Sequence, residues 1–300
     1  MRARWHPLHR GRGGRGDVHL LCRVPRHDRP RASGPLTATA TTSAARRVLA
    51  AAPAALVTDL DGTLSPIAPR PEDAVLAEGA KDALAALRPR LTVVAVISGR
   101  AASDARRMLG DPAILLVGNH GAEWLAPHAS EPEVEAALAG VPQQLDGLVA
   151  ALARRLRRHE GLSFEPKGLS ATIHYRNVGD PEAARADLLG ALGSMGVPRE
   201  LEVREGRKSV ELRPRGVDKG IAVRRIVDRY ALRGLLLFGD DRTDIDGFRV
   251  ARRMREEGRL DAFIGAVGGG PEAVPEVRGA ADAVIDSPVE LVELLRRIAT

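Results

Sequence analysis

Short apolar runs alternate with helical patterns along most of the sequence, and this alternation constrains the fold more than any other feature. From residue 54 the chain reads ALVTDLDG, a helical pattern near 77–88, LTVVAVISGR, a shorter helical pattern near 101–109, and AILLVGNHGAE. Apolar runs of strand length separated by helices predict parallel strands joined by crossover helices. We therefore expect an α/β fold built on a Rossmann-like parallel sheet.

The same rhythm returns in the last third of the chain. A helical pattern begins at Asp218, and it is followed by LLLFGDD, a second helical pattern over 244–257, and the strand-like runs DAFIGAVG and DAVID. The sequence SPVE at 287–290 combines a capping box with proline at the first helical position. It predicts a closing helix that runs to about residue 298.

The pattern changes between these two parts. A possible capping box at 130–133 opens helical sequence to about 159, and the strand-like runs LSFEP, LSATIHYR and LEVRE follow, with a helix start at Asp180-Pro181 among them. Helices mixed with hairpin-like strand pairs indicate an α+β module. We expect an inserted α+β domain at 126–206, within a core domain formed by 51–125 and 207–300.

Residues 1–50 have a composition that is poorly suited to a hydrophobic core. They hold 11 Arg and 2 Asp, a charge of +9, whereas the whole chain carries +6, so the remainder is net negative. Much Arg, Gly, Pro and Thr with few large apolar residues predicts a disordered basic tail. Arg-Gly segments also bind RNA, although Trp5 is the one aromatic residue here that could stack on a base. Binding to nucleic acid is therefore an alternative confined to the tail.

The single cysteine and the lengths of the apolar runs indicate where in the cell the protein is expected. Cys22 is the single cysteine, so no intramolecular disulfide can form, which fits a reducing cytoplasm. No run in the sequence reaches the roughly 18 apolar residues that span a membrane. We expect a cytoplasmic protein without a membrane partner, and the sequence leaves the oligomeric state open.

Each apolar strand of the expected core ends in polar residues, which read DLDGT, SGR, GNHGAE and GDD. The carboxyl ends of parallel strands meet at one edge of an open sheet, where ligands bind. Because side chains alternate along a strand, Asp59 and Asp61 point to the same side, and two carboxylates this close repel unless a cation or a proton intervenes. Asp-x-Asp-Gly is equally compatible with an ordinary turn.

A second acidic cluster follows the run LLLFG. It supplies aspartates at 240, 241, 244 and 246. Together with the first pair, these side chains offer the hard oxygen ligands that Mg²⁺ prefers. An EF-hand loop does not fit, because arginine stands at both the first and the last position where that loop requires acids.

Two further positions are suited to binding phosphate. Lys219 lies in the first turn of its predicted helix, where a cation opposes the helix dipole. Ser98-Gly99 offers a hydroxyl and backbone N–H groups at a strand-to-helix turn. Taken singly, Ser98 could equally be a helix cap and Lys219 a solvated surface charge.

The motifs DLDGTL, SGR, DKG and GDDRTD resemble, in this order, the four motifs of the haloacid dehalogenase superfamily of aspartate-nucleophile phosphatases, and the inserted domain resembles the cap of that superfamily. More narrowly, DLDGTLSPIAP, GNHGAE, HYRN, ELRPRGVDKG and GDDRTDIDGF resemble the trehalose 6-phosphate phosphatase family, over about 54–298. The sequence departs from that family at Ile245, where a further acid is more common.

The resemblance implies a mechanism. Asp59 would be the nucleophile that forms an aspartyl-phosphate, Asp61 the general acid and base, and Ser98 and Lys219 the groups that bind the transferring phosphoryl. The implied Mg²⁺ ligands are the carboxylate of Asp59, the backbone carbonyl of Asp61, and Asp240, with Asp241 or Asp244 in addition.

The resemblance also implies a sugar phosphate as substrate, read by the cap. The positions implied to contact it are Asp59, Leu60, Asp61, Gly62, Thr63, Gly99, Arg100, His120, Glu123, Lys167, His174 and Glu211. His174 is equally compatible with an ordinary sheet-face residue. Alternative substrates with the same chemistry are sucrose phosphate and mannosyl-glycerate phosphate.

Overall fold

The computed structural model describes residues 37–68, 70–206, 208–268 and 274–300, and its strands form two sheets. In chain order the strands are β1 (Ala54–Thr58), β2 (Val93–Ile97), β3 (Leu115–Gly118), β4 (Glu123–Leu125), β5 (Glu133–Val134), β6 (Ser163–Pro166), β7 (Ala171–His174), β8 (Leu201–Gly206), β9 (Ser209–Pro214), β10 (Gly234–Gly239), β11 (Asp261–Val267) and β12 (Ala283–Ile285). The α-helices are α1 (Ala38–Leu49), α2 (Ala80–Leu87), α3 (Ala102–Leu109), α4 (Val141–Arg155), α5 (Pro181–Met195), α6 (Lys219–Arg229), α7 (Asp244–Glu256), α8 (Pro275–Ala280) and α9 (Pro288–Ala299).

The larger sheet has the strand order β12-β11-β10-β1-β2-β3-β4-β5. Its pairs are parallel from β12 to β3, and the β3–β4 and β4–β5 pairs are antiparallel. Strand β1 lies between β2 and β10, so the chain order reverses there. Such a switch point opens a crevice at the carboxyl ends of the strands. The expected α/β fold with a mostly parallel sheet is confirmed.

The central strands carry apolar side chains on both faces because helices cover both faces of the sheet. All five residues of β1 and all six of β10 are buried. Leu56 packs on one side in a cluster with α1, α2 and α9, and Val57 packs on the other side with α6 and α7. Strands buried on both faces give continuous apolar runs, as the sequence has here.

The structure differs from the expected disordered tail at its end. Residues 38–49 form helix α1, whose Ala45, Val48 and Leu49 are buried in the core, so the prediction of disorder is wrong for this segment. Arg46 donates from Nη2 to the carbonyl of Arg297 at the end of α9, 2.5 Å away. Residues 1–36, with the Arg-Gly segment and Cys22, lie outside the described residues.

The smaller sheet is antiparallel, with the order β6-β7-β9-β8, and belongs to the inserted α+β domain. Its hydrophobic cluster includes residues of α4 and α5. Two boundaries differ from the expected ones. Glu133–Val134 pairs with β4 in the larger sheet, so the capping box expected at 130–133 starts no helix, and Ser209–Pro214 pairs with β7 and β8 in the smaller sheet.

Helix caps were predicted correctly at three other positions. Asp180 accepts a hydrogen bond from the backbone of Ala183 at α5, Asp218 from that of Ile221 at α6, and Ser287 from that of Glu290 at α9. An N-cap acceptor of this kind satisfies one of the unpaired N–H groups of the first turn. The cap at Asp218 matters most for the site, because it sets the position of Lys219.

Candidate active site

Three carboxylates meet where β1 and β10 end. Asp59 follows β1, Asp240 follows β10, and Asp244 is the first residue of α7. One carboxylate oxygen from each lies within 4.8 Å of the other two. The crevice at the switch point therefore contains three of the five aspartates that were expected to bind metal.

The turn after β1 is shaped to admit Asp240. Gly62 has a φ of +80°, which side chains disfavour, and a Cβ there would lie 2.0 Å from Oδ2 of Asp240. The buried hydroxyl of Thr63 donates to Oδ1 of Asp240 at 2.9 Å. Leu60, in contrast, points its side chain into the core and is fully buried. The DLDGT turn thus carries Asp59 and, through Gly62 and Thr63, also positions Asp240.

Lys219 is buried between two of these acids. Its Nζ lies 3.0 Å from Oδ1 of Asp59 and 2.7 Å from Oδ1 of Asp244. Burial alone would lower the pKa of Lys219, but the two carboxylates raise it above its ordinary value. The lysine is therefore a fixed cation beside the expected nucleophile, and it is no surface charge.

The remaining negative charge favours a divalent cation. Burial raises the pKa of Asp59 well above its ordinary value, Lys219 opposes this shift, and the charges of Asp244 and Asp240 add to it. Burial together with the charge of Asp244 raises the pKa of Asp240 to about 7. The three carboxylates outnumber the single ammonium of Lys219, so they repel one another unless a further cation binds. Their oxygens are the ligands that Mg²⁺ prefers. The residues present fit the expected ion.

The loop after β10 separates Asp244 from Asp241. Oδ2 of Asp244 accepts hydrogen bonds from the backbone N–H groups of Asp240, at 3.1 Å, and Asp241, at 3.0 Å. Asp241 is exposed, and its carboxylate accepts from the backbone of Arg242. Of the two candidates for an additional ligand, Asp244 lies in the acidic group and Asp241 lies outside it.

Asp61 makes a different contact from that of Asp59. Arg100, which directly follows Ser98-Gly99 after β2, donates from Nε to Oδ2 of Asp61 at 2.6 Å and from Nη2 to Oδ1 at 2.7 Å. The same Nη2 donates to the carbonyl of Pro71 at 2.9 Å. The guanidinium of Arg100, which was expected to contact substrate, is thus bound to the expected acid and base.

Ser98 and Gly99 lie at the end of β2. The buried Ser98 hydroxyl accepts a hydrogen bond from the backbone of Arg100 at 3.1 Å. A Cβ on Gly99 would lie 2.7 Å from Nε2 of His120, so glycine allows the imidazole to approach this turn. His120 Nε2 lies 3.2 Å from Oε1 of Glu211, and its buried Nδ1 has no hydrogen-bond partner within the described residues.

The inserted domain presents a charged cluster to this edge. Oε2 of Glu165 lies 2.9 Å from Nε2 of His174 and 3.7 Å from Nζ of Lys167. Burial alone would raise the pKa of Glu211, but His120 and Lys167 lower it to about 2. Glu165 was not among the site residues predicted from the sequence. It lies in β6, two residues before Lys167, which follows the strand in the turn to β7.

Glu123 is buried, and both of its carboxylate oxygens accept hydrogen bonds. Oε2 accepts from the backbone of Ala102 at 2.7 Å, and Oε1 accepts from Nδ2 of Asn119 at 2.8 Å. Burial raises the pKa of Glu123, and these two hydrogen bonds oppose the shift. Glu123 was expected to contact substrate, and in this arrangement it binds the backbone and Asn119. Asn119 lies within the GNHGAE motif but was not among the site residues predicted from the sequence.

Comparison with known proteins identifies one family. A family model described as trehalose-phosphatase matches residues 57–273. This range begins within β1 and includes all the residues of the acidic group, the Lys219 contact and the inserted domain.

Within the described residues, no helix is both long and apolar enough to cross a membrane.

Curated relatives share part of their length with this chain. An uncharacterized glycosyl hydrolase of Mycobacterium tuberculosis is 40% identical over 218 residues, which are 69% of this chain and 16% of that protein. A trehalose-phosphate phosphatase of the same organism is 32% identical over 256 residues, which are 80% of this chain and 60% of that protein. The chain therefore spans less than two thirds of the length of both relatives.

Solved structures share the fold. The C-terminal domain of trehalose-6-phosphate phosphatase from C. albicans has a TM-score of 0.71 at 22% identity, covering 88% of this chain and 97% of that chain. Trehalose-6-phosphate phosphatase from Aspergillus fumigatus has a TM-score of 0.60 at 25% identity, covering 86% of this chain and 97% of that chain.

Proposed function

Because this chain belongs to the trehalose-phosphatase family, we propose that it hydrolyses trehalose 6-phosphate to trehalose and phosphate. The observation that carries the proposal is the position of Asp59, which lies between a buried lysine and two further carboxylates at the switch point. A carboxylate held beside a fixed cation and a potential metal site is suited to attack a phosphate ester, whose negative charge these cations would offset.

The proposed first step forms an aspartyl-phosphate. An oxygen of Asp59 attacks phosphorus, the bond from phosphorus to the sugar oxygen breaks, and protonated Asp61 gives its proton to that oxygen. In the second step water attacks phosphorus, Asp61 takes the proton from the water, and the carboxylate of Asp59 leaves. Both oxygens of Asp61 accept hydrogen bonds from Arg100 here. Proton transfer therefore requires that one of them be released toward the substrate.

Lys219 and Ser98 are proposed to bind the transferring phosphoryl group. Lys219 supplies a charge that does not need to reorganise, because Asp59 and Asp244 hold it in place. Mg²⁺ would be held by Asp59, Asp240 and Asp244, with the carbonyl of Asp61, and it would neutralise negative charge on the carboxylates and the phosphoryl group.

The inserted domain is proposed to act as the cap that reads the sugar. Lys167, His174 and Glu211 lie on its sheet or the adjoining turn, and Glu211 lies at hydrogen-bond distance from His120 in the core. These polar groups at the edge of the crevice could bind sugar hydroxyls, because each offers a charged or imidazole hydrogen-bonding group.

The activity is proposed to be cytoplasmic. The chain has a single cysteine, Cys22, so it can form no intramolecular disulfide, which fits a reducing compartment.

Phosphate release from a panel of sugar phosphates tests this function. Wild-type protein, with and without Mg²⁺ after treatment with a chelator, is assayed on trehalose 6-phosphate, sucrose phosphate and mannosyl-glycerate phosphate. We expect the highest kcat/KM for trehalose 6-phosphate and loss of turnover without the metal. Asp59→Asn keeps the shape of the side chain and removes the nucleophile, so it is the matched control. A preference for another sugar phosphate would overturn the substrate assignment, and retained turnover in Asp59→Asn would overturn the mechanism.

A further inference from the structure

Asn119 joins the core to the inserted domain. It follows β3, is fully buried, and has a φ of +46°. Its Nδ2 donates to Oε1 of Glu123 at 2.8 Å and to the backbone carbonyl of Lys167 at 2.9 Å. Its Oδ1 accepts from the hydroxyl of Ser170 at 2.5 Å. One side chain therefore bonds to the core on one side and to the inserted domain on the other.

The arrangement uses both amide donors of Asn119 and its carbonyl oxygen. A buried amide that lost these partners would keep the cost of its desolvation. The left-handed backbone is a conformation that asparagine tolerates better than most residues. Asparagine therefore suits this position through its hydrogen bonds and its backbone conformation, and not only through its size.

On the core side, Asn119 is held by a short network. Its backbone N–H donates to the carbonyl of Arg100 at 2.8 Å. Glu123, which accepts from Asn119, also accepts from the backbone of Ala102 at the start of α3. Asn119 is thereby tied to the segment that carries Ser98 and Arg100, next to the place where the phosphoryl group would bind.

On the side of the inserted domain, Asn119 holds the turn between β6 and β7. The turn is closed by hydrogen bonds from the backbone of Lys167 to the carbonyl of Ser170, at 2.8 Å, and from that of Leu169 to the carbonyl of Lys167, at 3.0 Å. The backbone carbonyl of Lys167 is therefore hydrogen-bonded to Asn119, while its ammonium lies 3.7 Å from Glu165 in the charged cluster.

We propose that Asn119 is a positioning residue that docks the turn 167–170 on the core and thereby places Lys167 over the substrate. It acts through Lys167 and Ser170 and has no contact with the substrate itself. The proposal relies on the proposed function for the identity of that substrate. It also gives Glu123 a role, which is to orient the Asn119 amide from behind.

A double-mutant cycle tests whether Asn119 acts through Lys167. We expect Asn119→Ala to lower kcat/KM for trehalose 6-phosphate by roughly 10- to 100-fold, the loss of one or two buried polar contacts. Turnover of p-nitrophenyl phosphate, which is too small to reach the cap, should change by less than about 3-fold, since the remote contacts do not bear on it. In a Lys167→Ala background the further loss from Asn119→Ala should be small, because coupled residues are not additive. Independent, additive losses would overturn the proposal.

Milder variants keep the test open if Asn119→Ala folds poorly. Ser170→Ala removes a single hydroxyl from the same network and should cause a smaller loss of the same selectivity. Gln143→Ala, which truncates an exposed amide on α4 of the inserted domain, is the matched control and should change neither substrate. Equal losses on both substrates for Ser170→Ala would indicate a general defect and count against positioning.

Hydrogen–deuterium exchange of the substrate-free protein separates this proposal from the proposed function. Exchange in a peptide spanning 165–172 should be faster in Asn119→Ala than in wild type, while peptides from β10 should be unchanged. Unchanged exchange at 165–172 would overturn the docking role, whichever substrate the enzyme prefers. Inactivity of wild type on trehalose 6-phosphate would instead overturn the proposed function, and the cycle would then use the best substrate of the panel.

Discussion

Arg100 engages both carboxylate oxygens of Asp61, with Nε 2.6 Å from Oδ2 and Nη2 2.7 Å from Oδ1. A guanidinium matches a carboxylate through two parallel hydrogen bonds, so the pair restricts the rotation of Asp61 as well as its position. Arg100 is itself held by the carbonyl of Pro71 and lies near the charge of Glu165 in the inserted domain. The acid of the proposed reaction is therefore oriented by a residue that faces both domains.

Arg100→Lys tests that orientation. Lysine keeps the charge but cannot form the bidentate pair, so Asp61 should lose its orientation. We expect kcat on trehalose 6-phosphate to fall by about 10-fold or more, in line with the worth of a positioned acid and base. Arg107→Lys, at an exposed arginine paired with Asp104, is the matched control and should leave kcat unchanged. An unchanged kcat in Arg100→Lys would show that the bidentate pair does not prepare Asp61.

Gly62→Ala tests how closely the first turn approaches Asp240. An added Cβ would lie 2.0 Å from Oδ2 of Asp240, on a backbone with a φ of +80°. We expect this substitution to displace Asp240 and to weaken Mg²⁺ binding by at least about 10-fold, measured by titration calorimetry on the protein alone. Gly147→Ala, in the middle of α4 with nothing within 4 Å, is the control. It should leave Mg²⁺ affinity unchanged and raise the free energy of unfolding by about 0.5–1 kcal/mol. Wild-type metal affinity in Gly62→Ala would contradict the close approach.

Thr63→Val tests the orientation of Asp240 without adding bulk. Valine has nearly the shape of threonine but cannot donate the 2.9 Å hydrogen bond to Oδ1 of Asp240. Loss of a partner that orients a ligand typically costs 10- to 100-fold in metal affinity or activity, and we expect a fall of about 10-fold in Mg²⁺ affinity. Thr92→Val, at an exposed threonine before β2, should have no effect.

The core of the site was predictable because local sequence dictates it. Asp59 and Asp240 end apolar runs that are buried on both faces, so parallel pairing of β1 with β10 brings them to one edge. The role of Asn119 was not predictable in this way. The partners of Asn119 at 167 and 170 are about fifty residues away and lie in the other domain, and no local pattern specifies such a contact.

Helix α1 was missed for a related reason. Its sequence ATATTSAARRVL is rich in threonine and arginine and has few large apolar residues, so its composition matches that of the tail before it. The helix is held by tertiary contacts: Leu49 and Val48 pack in the core, and Arg46 binds the end of α9. Tertiary packing supplies most helix stability in proteins, which composition alone does not reveal.

Leu49→Ala tests whether α1 belongs to the folded core. Truncation of a buried leucine typically costs 2–5 kcal/mol through lost burial and the cavity left behind, and we expect about 2 kcal/mol here. The measurement is the free energy of unfolding in urea. Ser43→Ala, at an exposed position of the same helix, should change that free energy by less than about 0.5 kcal/mol. Equal stability of Leu49→Ala and wild type would return residues 38–49 to the tail.

Glu211→Gln tests the electrostatic link between the two domains through its pH dependence. The pKa of Glu211 is lowered from an ordinary 4.5 to about 2, because His120, Lys167 and Arg213 together outweigh the effect of burial. A depressed carboxyl pKa stabilises the folded state above the unfolded pKa, and this contribution is lost as the pH falls through the folded pKa. We therefore expect the difference in free energy of unfolding between wild type and Glu211→Gln to be present above pH 4.5 and to shrink steadily from there toward pH 2. Urea unfolding at a series of pH values measures it, with Glu160→Gln, at an exposed glutamate, as the control whose difference stays small throughout. A difference that grows below pH 4.5 would have the opposite sign, and would mean that the neutral carboxyl of Glu211, rather than its ion, is bound between the domains.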